Sequence, residues 1–153
     1  MIKLSKRLSI VSSLIDSKSY IDVGCDHALL DIYMAQINKD IKIIASDINE
    51  NALEQAKNNI KKYNLEKRIE TRLSKGINNL KENEVDTIVI TGLGSNTIVG
   101  ILHNDIFKLK NIKNIIIQSN TNLSFLREKV TRLNYIIEEE IQDVQEKIEK
   151  KEK

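Results

Sequence analysis

The sequence predicts an α/β fold, in which a doubly wound, Rossmann-like and mostly parallel sheet carries helices on both faces. Continuous apolar runs alternate with helical apolar patterns about five times, as in parallel sheets that are covered on both faces. The first run stops at Gly24, where an open sheet of this kind would bind its ligand, and a helical pattern begins at Ala28. Neither a repeat nor a linker appears, so we expect one domain over residues 1–141 and a charged tail over 142–153.

In the first half of the chain, each element follows from the spacing of its apolar residues. The predictions, in order, are a helix over 3–17 with Leu4, Leu8, Val11 and Leu14 or Ile15 on one face, a strand over 19–23, a helix over 28–38 through Leu29, Ile32 and Tyr33, and a strand over 41–45 that ends at Ser46 and Asp47. They continue with an amphipathic helix over 50–63 through Ala52, Leu53, Ala56 and Ile60, and a strand over 68–73 whose alternation indicates a partly exposed face.

The second half begins with the clearest strand, residues 85–91, because Ile88, Val89 and Ile90 stand in succession. It ends in the turn Gly92-Leu93-Gly94. The further predictions are a helix over 96–109, a strand over 115–117 that continues into Gln118-Ser119-Asn120, a helix over 123–133 and a candidate sixth strand over 135–141. We expect the fold with or without this last strand.

Composition narrows the class of protein. Apolar residues make up 41% and charged residues 30%, as in ordinary globular chains. No apolar run approaches the roughly 20 residues of a membrane span, and the N-terminus lacks the features of a signal peptide, so we expect a cytoplasmic protein without a membrane partner. The single cysteine, Cys25, excludes an internal disulfide and a cysteine zinc site, and we expect no metal.

A net charge of +2 does not by itself indicate a nucleic-acid binder. We expect two basic clusters to be solvated faces: Lys61, Lys62, Lys67, Arg68 and Arg72, and Lys108, Lys110 and Lys113.

The turn after the first strand favours one of two cofactors that such sheets bind. Dinucleotide enzymes carry G-x-G-x-x-G here, whereas Gly24-Cys25-Asp26-His27-Ala28 has one glycine and a carboxylate that would repel a pyrophosphate. S-adenosylmethionine has no phosphate, and its cationic sulfonium and ammonium groups suit Asp22 and Asp26. Asp47 stands roughly 20 residues further on, where an acid accepts hydrogen bonds from ribose hydroxyls. Two alternatives stay open: Asp47 as a helix N-cap, and Asp22 as a partner of backbone amides in the turn.

Three further features of the expected site have functional interpretations. The glycines of Gly92-Leu93-Gly94 would let a flat substrate lie between the backbone and the methyl donor. The alternative is a plain strand-to-helix turn, which needs one glycine. We interpret His27 as a helix-start residue near the cofactor and Cys25 as a small residue that lets the turn close.

Motifs along most of the chain carry a family resemblance. They are Leu4-Ser-Lys-Arg-Leu8, Asp22-Val-Gly-Cys-Asp-His-Ala28, Asp86-Thr-Ile-Val-Ile-Thr-Gly-Leu-Gly94, Ile116-Ile-Gln-Ser-Asn120, Leu126-Arg127 and Asn134-Tyr135. This set resembles the bacterial tRNA adenine-N1 methyltransferases that modify the adenine at position 22, which have the class I methyltransferase fold. The resemblance implies tRNA as partner and cofactor contacts at Gly24, Asp26, His27, Asp47, Gly76, Gly92, Leu93 and Gly94. We assign Asp22, Cys25, Ile48 and Lys75 to the same cofactor site.

Four features depart from the family pattern. Lys75 stands where the family tends to have an acid that holds the cofactor adenine. Ser95 replaces a glycine, and Ser119 replaces a proline between Gln118 and Asn120. Family members also continue into a helical extension thought to help grip tRNA, whereas this sequence ends at Lys153.

The reaction that the resemblance implies is methyl transfer from S-adenosylmethionine to N1 of adenine 22 in tRNA. Separately, we expect the protein to be a monomer. Adenine N1 has an in-plane lone pair, so catalysis consists of alignment and charge stabilisation. The product is cationic, which makes Asp26 the candidate for stabilising charge, while Asn120 with Gln118 could contact the exocyclic amine. The alternatives are a shortened module that holds the cofactor or RNA with little or no turnover, and a methyltransferase with another substrate.

Overall fold

Strands and helices alternate along the part of the chain that the computed structural model describes, residues 1–133 and 135. The elements are α1 (Lys6–Leu14), β1 (Ser19–Val23), α2 (Leu29–Ile37), β2 (Lys42–Asp47), α3 (Glu50–Lys62), β3 (Ile69–Leu73), β4 (Thr87–Leu93), α4 (Ser95–Asn104), a 3-10 helix (Ile106–Asn111), β5 (Asn114–Ser119) and α5 (Leu123–Arg132).

These strands form one parallel sheet in the order β3-β2-β1-β4-β5. The chain winds outward from β1 to β3 and then crosses back to β4 on the other side of β1. The carboxyl ends of β1 and β4 therefore flank the point where the strand order reverses, which is where sheets of this kind bind ligands. The predicted doubly wound α/β fold is confirmed.

Both faces of the sheet are buried, because successive residues of a strand point to opposite faces. On β1, Tyr20 belongs to one apolar cluster with Ile43 and Val89, and Ile21 belongs to a second cluster with Ile44. Helices α1, α2 and α3 contribute to the first cluster, while α4, the 3-10 helix and α5 contribute to the second. The strands at the centre of the sheet are therefore fixed by packing on two sides, and their carboxyl ends are held in place.

Several predicted boundaries are wrong, among them both ends of the helix predicted over 3–17, which spans Lys6–Leu14, and two predictions lie outside the described residues. The helix predicted over 96–109 ends at Asn104, and the 3-10 helix that follows turns the chain so that Leu109 reaches the core. Strand β4 continues through Gly92 to Leu93, which pairs with Ser119 beyond a bulge. Apart from Tyr135, the candidate strand over 135–141 and the tail over 142–153 are not part of the described structure.

The basic clusters are not simply solvated faces, because three of their members hold loops together. Arg68 donates to the carbonyls of Ala35 (3.3 Å) and Asn38 (2.8 Å). The guanidinium of Arg72 is paired with the carboxylates of Glu70 and Glu84. Lys108 donates through Nζ to the carbonyls of Asn78 and Leu80. The expectation is therefore wrong for Arg68, Arg72 and Lys108.

Candidate active site

The turn after β1 uses left-handed backbone at three positions. Gly24 has φ +80°, and Asp26 and Ala28 have φ 51° and 60°. The amides of Gly24 and Cys25 both donate to the carbonyl of Ser46, at 2.9 and 2.8 Å, which ties the turn to the end of β2. Because left-handed backbone strains residues that carry a Cβ, a turn with two such residues needs these supports.

Asp47 connects this turn with the next one. Its Oδ2 accepts from the amide of Asp26 (3.2 Å), and its Oδ1 accepts from the amide of Asn49 (2.9 Å). The N-cap of α3 is Asn49, whose Oδ1 accepts from the amide of Ala52 at 3.0 Å. The alternative of Asp47 as the helix cap therefore does not hold.

The turn at the end of β4 is held from β5. Gln118 accepts through Oε1 from the amide of Gly92 (2.8 Å), while Asn120 donates through Nδ2 to the carbonyl of Gly92 (2.9 Å). The Nε2 of Gln118 lies 3.3 Å from Oδ1 of Asn120, to which it donates. Gly92 has φ +75°, which favours glycine, whereas Gly94 has an ordinary φ of −75°. Both side-chain amides are thus engaged in holding Gly92.

A cleft of about 950 Å³ lies between these turns, at the carboxyl ends of the strands. It has the size of small-molecule sites in proteins. Nine of the predicted site residues line it: Gly24, Asp26, His27, Asp47, Ile48, Lys75, Gly76, Gly92 and Leu93. The side chains of Asp26 and His27 are 74% and 49% exposed, with Oδ1 and Nε2 3.8 Å apart. The structure thus brings together the turns after β1, β2, β3 and β4 around one space.

Four predicted site residues do not line the cleft. Gly94 and Asn120 lie beside it, where a Cβ on Gly94 would stand 3.4 Å from Oγ1 of Thr121. Cys25 is buried, and burial raises the pKa of its thiol, so it remains a thiol as a small packing residue would. Asp22 is also buried, below the turn after β1.

Asp22 lies beside a second buried carboxyl that the sequence did not reveal. Asp31 of α2 is wholly buried, and its Oδ1 accepts from the hydroxyl of Tyr20 at 2.8 Å. Among the described residues, Oδ1 of Asp22 and Oδ2 of Asp31 have no hydrogen-bond partner. Burial raises the pKa of Asp22 to about 6, and burial together with the charge of Asp22 raises the pKa of Asp31 well above its usual range. The pair therefore retains a proton at a pH where exposed aspartates have lost theirs.

Two helices line the cleft without having been predicted to do so. Arg7 and Leu8 of α1 contribute from one side, and α4 contributes Thr97, Gly100, Ile101 and Asn104. The spacing of these α4 residues places them on one helix face, a signal that was available in the sequence. A Cβ on Gly76 would lie only 3.0 Å from Cγ2 of Ile101, so α4 packs closely against the turn after β3.

Within residues 1–133 and 135, no group of three or more His, Cys, Asp or Glu side chains is arranged to hold a metal ion. No helix in the same part of the chain has both the length and the apolar character needed to cross a membrane.

The fold and the cleft at the strand ends are those of a methyltransferase. The methyltransferase domain family matches residues 4–149, and this chain belongs to that family. It is similar to the tRNA (adenine(22)-N(1))-methyltransferase of Bacillus subtilis strain 168, with 32% identity over 141 residues, which is 92% of this chain and 59% of the relative. The resemblance identified from the motifs is therefore confirmed.

Solved structures agree with this relationship. The structure of M. capricolum TrmK in complex with S-adenosyl-homocysteine has 40% identity and a TM-score of 0.81, over 92% of this chain and 64% of that one. The crystal structure of the B. subtilis M1A22 tRNA methyltransferase TrmK has 31% identity and a TM-score of 0.87, over 94% and 63%. The chain thus spans about three fifths of the length of these relatives.

Proposed function

We propose that this domain binds S-adenosylmethionine in the cleft and transfers its methyl group to N1 of adenine 22 in tRNA. The observation that carries the proposal is the pair of carboxylates, Asp26 and Asp47, which line one cleft opposite the backbone of Gly92 and Leu93. The relatives support the same function, because they are named as tRNA methyltransferases and one is bound to S-adenosyl-homocysteine.

The side chains of the cleft suit a cationic nucleoside. In the proposed arrangement Asp47 accepts hydrogen bonds from the ribose hydroxyls, and the turn after β1 lies against the amino-acid end. Ile48 and the backbone of Lys75 and Gly76 would flank the adenine. The carboxylates attract a sulfonium and an ammonium, whereas they would repel the pyrophosphate of a dinucleotide.

Catalysis in this proposal depends on position more than on proton transfer. When bound, the cofactor would supply an activated methyl group: the lone pair of adenine N1 would form the new carbon–nitrogen bond as the methyl–sulfur bond breaks, so no base would be needed. Asp26 is exposed in the free cleft, where water screens its charge, and entry of the base would exclude that water and strengthen its interaction with the cationic product. Asn120 and Gln118 act through Gly92 in this account, since both amides already hold that residue. They are positioning residues for the turn against which the base lies.

The tRNA must present the base outside its stack. Turning a nucleotide out of its stack costs a few kcal/mol, which contacts to the rest of the RNA have to offset. Recognition of a folded tRNA therefore relies on shape and phosphates as well as on the base itself.

The test is methyl transfer from labelled S-adenosylmethionine to an unmodified tRNA transcript, followed by nucleoside mass spectrometry. We expect N1-methyladenine in the transcript with adenine at position 22 and none in a transcript with guanine there. Asp26→Asn should lower the rate by about tenfold or more while the cofactor still binds. Asp40→Asn, which removes an exposed carboxylate outside the cleft, is the matched control.

Other results would support the alternatives. Cofactor binding without transfer would indicate a binding module, and methylation of the guanine-22 transcript would indicate another target nucleotide. If Asp26→Asn and Asp40→Asn both turn over like the wild type, the role proposed for Asp26 is wrong.

A further inference from the structure

We propose that Arg7 of α1 binds an anionic group in the cleft, either the carboxylate of the cofactor or a phosphate of the target nucleotide. This inference rests on the function proposed above and adds to it a residue that recognises the negative end of a ligand. The two sources share one chemistry, a planar or tetrahedral oxyanion that a guanidinium can hold with two parallel hydrogen bonds.

The first support is that Arg7 stands apart from the other arginines. Arg68 donates to backbone carbonyls, Arg72 is paired with two glutamates, and Arg132 is paired with Glu128 at 2.8 Å. Arg127 also has a partner. The side chain of Arg7, an exposed residue, makes no hydrogen bond or ion pair with any other part of the described chain. Its five N–H donors are available to a ligand.

The second support is that the backbone beneath Arg7 is fixed at the cleft. Ser5 caps α1 by accepting from the amide of Leu8 at 3.2 Å, and the amide of Ile2 donates to Oε1 of Gln36 at 2.9 Å. Leu4 and Leu8 pack against the apolar cluster that α2 shares. A guanidinium on this anchored segment loses little backbone freedom when it binds a ligand.

The third support is the distribution of charge around the cleft. Its other cation, Lys75, follows β3 at one edge of the sheet, whereas α1 packs against α2 and β5, and β5 is the opposite edge. If the adenine of the cofactor lies by Lys75, the amino-acid carboxylate and the target nucleotide both lie toward Arg7. Because Asp26, Asp47 and Asp105 make the remainder of the cleft negative, either anion needs a positive partner on this side.

Three dissociation constants test the inference without depending on turnover. The variant is Arg7→Gln, and the control is Lys6→Gln, which removes the neighbouring exposed charge from a residue that does not line the cleft. Calorimetry measures S-adenosyl-homocysteine and 5′-methylthioadenosine, which lacks the amino-acid portion, and fluorescence anisotropy measures a labelled tRNA transcript. Circular dichroism confirms that both variants fold.

For a carboxylate contact, we expect Arg7→Gln to weaken S-adenosyl-homocysteine about tenfold and to leave methylthioadenosine unchanged. For a phosphate contact, we expect tRNA to bind about tenfold more weakly while S-adenosyl-homocysteine is unaffected. Lys6→Gln should change none of these constants by more than about twofold. Equal constants for wild type and Arg7→Gln, or equal losses in Arg7→Gln and Lys6→Gln, would overturn the inference.

The same measurements separate this inference from the proposed function. A wild-type protein that binds these ligands through Arg7 and transfers no methyl group would refute the function and keep the contact. If the protein methylates tRNA but binds these ligands equally well without Arg7, the proposed function would stand and the Arg7 contact would be refuted. A wild-type protein that binds neither the nucleosides nor tRNA would refute both.

Discussion

Replacing Asp31 with asparagine should stabilise the protein, and increasingly so as the pH rises. In the wild type, two buried carboxyls face each other and each has an oxygen without a partner. In Asp31→Asn, the amide oxygen can still accept from the hydroxyl of Tyr20, and the amide nitrogen can donate to Asp22. A permanent donor thus replaces a proton that the wild type must take up from solution.

The size and the sign of this pH dependence follow from the thermodynamic linkage between proton binding and folding. The pKa of Asp31 is raised well above 3.8 in the folded state, so in the pH window from about 4 up to that raised pKa the folded wild type holds a proton on Asp31 that the unfolded chain has released, and the variant lacks this group. Wild-type stability therefore falls as the pH rises through this window. Each pH unit over which one such proton is retained corresponds to about 1.4 kcal/mol.

The assay is urea denaturation followed by circular dichroism at pH 4, 5, 6, 7 and 8. We expect the free energy of unfolding of Asp31→Asn, minus that of the wild type, to increase with pH above about pH 4, by up to about 1.4 kcal/mol per pH unit while Asp31 of the wild type retains its proton. Asp40→Asn, an exposed carboxylate, should give a difference that does not change with pH. A difference for Asp31→Asn that is independent of pH, or a variant less stable than the wild type at pH 7, would refute the reasoning.

Three further substitutions test other parts of the structure. Asp47→Asn should weaken S-adenosyl-homocysteine about tenfold in calorimetry, because it removes charge from the proposed ribose site; unchanged binding would contradict that role. Glu84→Gln should lower the free energy of unfolding by about 1 kcal/mol at pH 7 and leave it unchanged near pH 2, as measured by urea denaturation. The reason is that Arg72 lowers the pKa of Glu84 to about 2, and the ion pair contributes only while the carboxylate is charged. An equal loss at both pH values would contradict this. Gly76→Ala should lower the free energy of unfolding by about 1–2 kcal/mol, because the φ of Gly76 is +56° and an added Cβ would lie 3.0 Å from Ile101. If this contact matters, melting curves should show that the double variant Gly76→Ala/Ile101→Ala recovers part of the lost stability.

The order of the elements could be predicted from the sequence, since strands buried on both faces leave continuous apolar runs such as Ile88–Ile90. The end of α4 could not, because apolar spacing continues into the 3-10 helix and only packing turns Leu109 toward the core. Turns that follow strands were found through their glycines and acids. The contribution of Arg7 depends on how α1 lies across the sheet edge, and the Asp22–Asp31 pair depends on how α2 packs against β1, so neither is encoded in local spacing.

One carboxylate sets a limit on how this cleft can vary. The two oxygens of Asp47 hold the amides of Asp26 and Asn49, so the side chain expected to hold a sugar also fixes the backbone beneath the acid expected to face the base. Lengthening it by a methylene, as in Asp47→Glu, would displace both loops at once. A change in nucleoside specificity would therefore have to begin with substitutions at Ile48 or Lys75. Their side chains can be replaced without displacing the turn that faces the methyl-donor end of the cofactor.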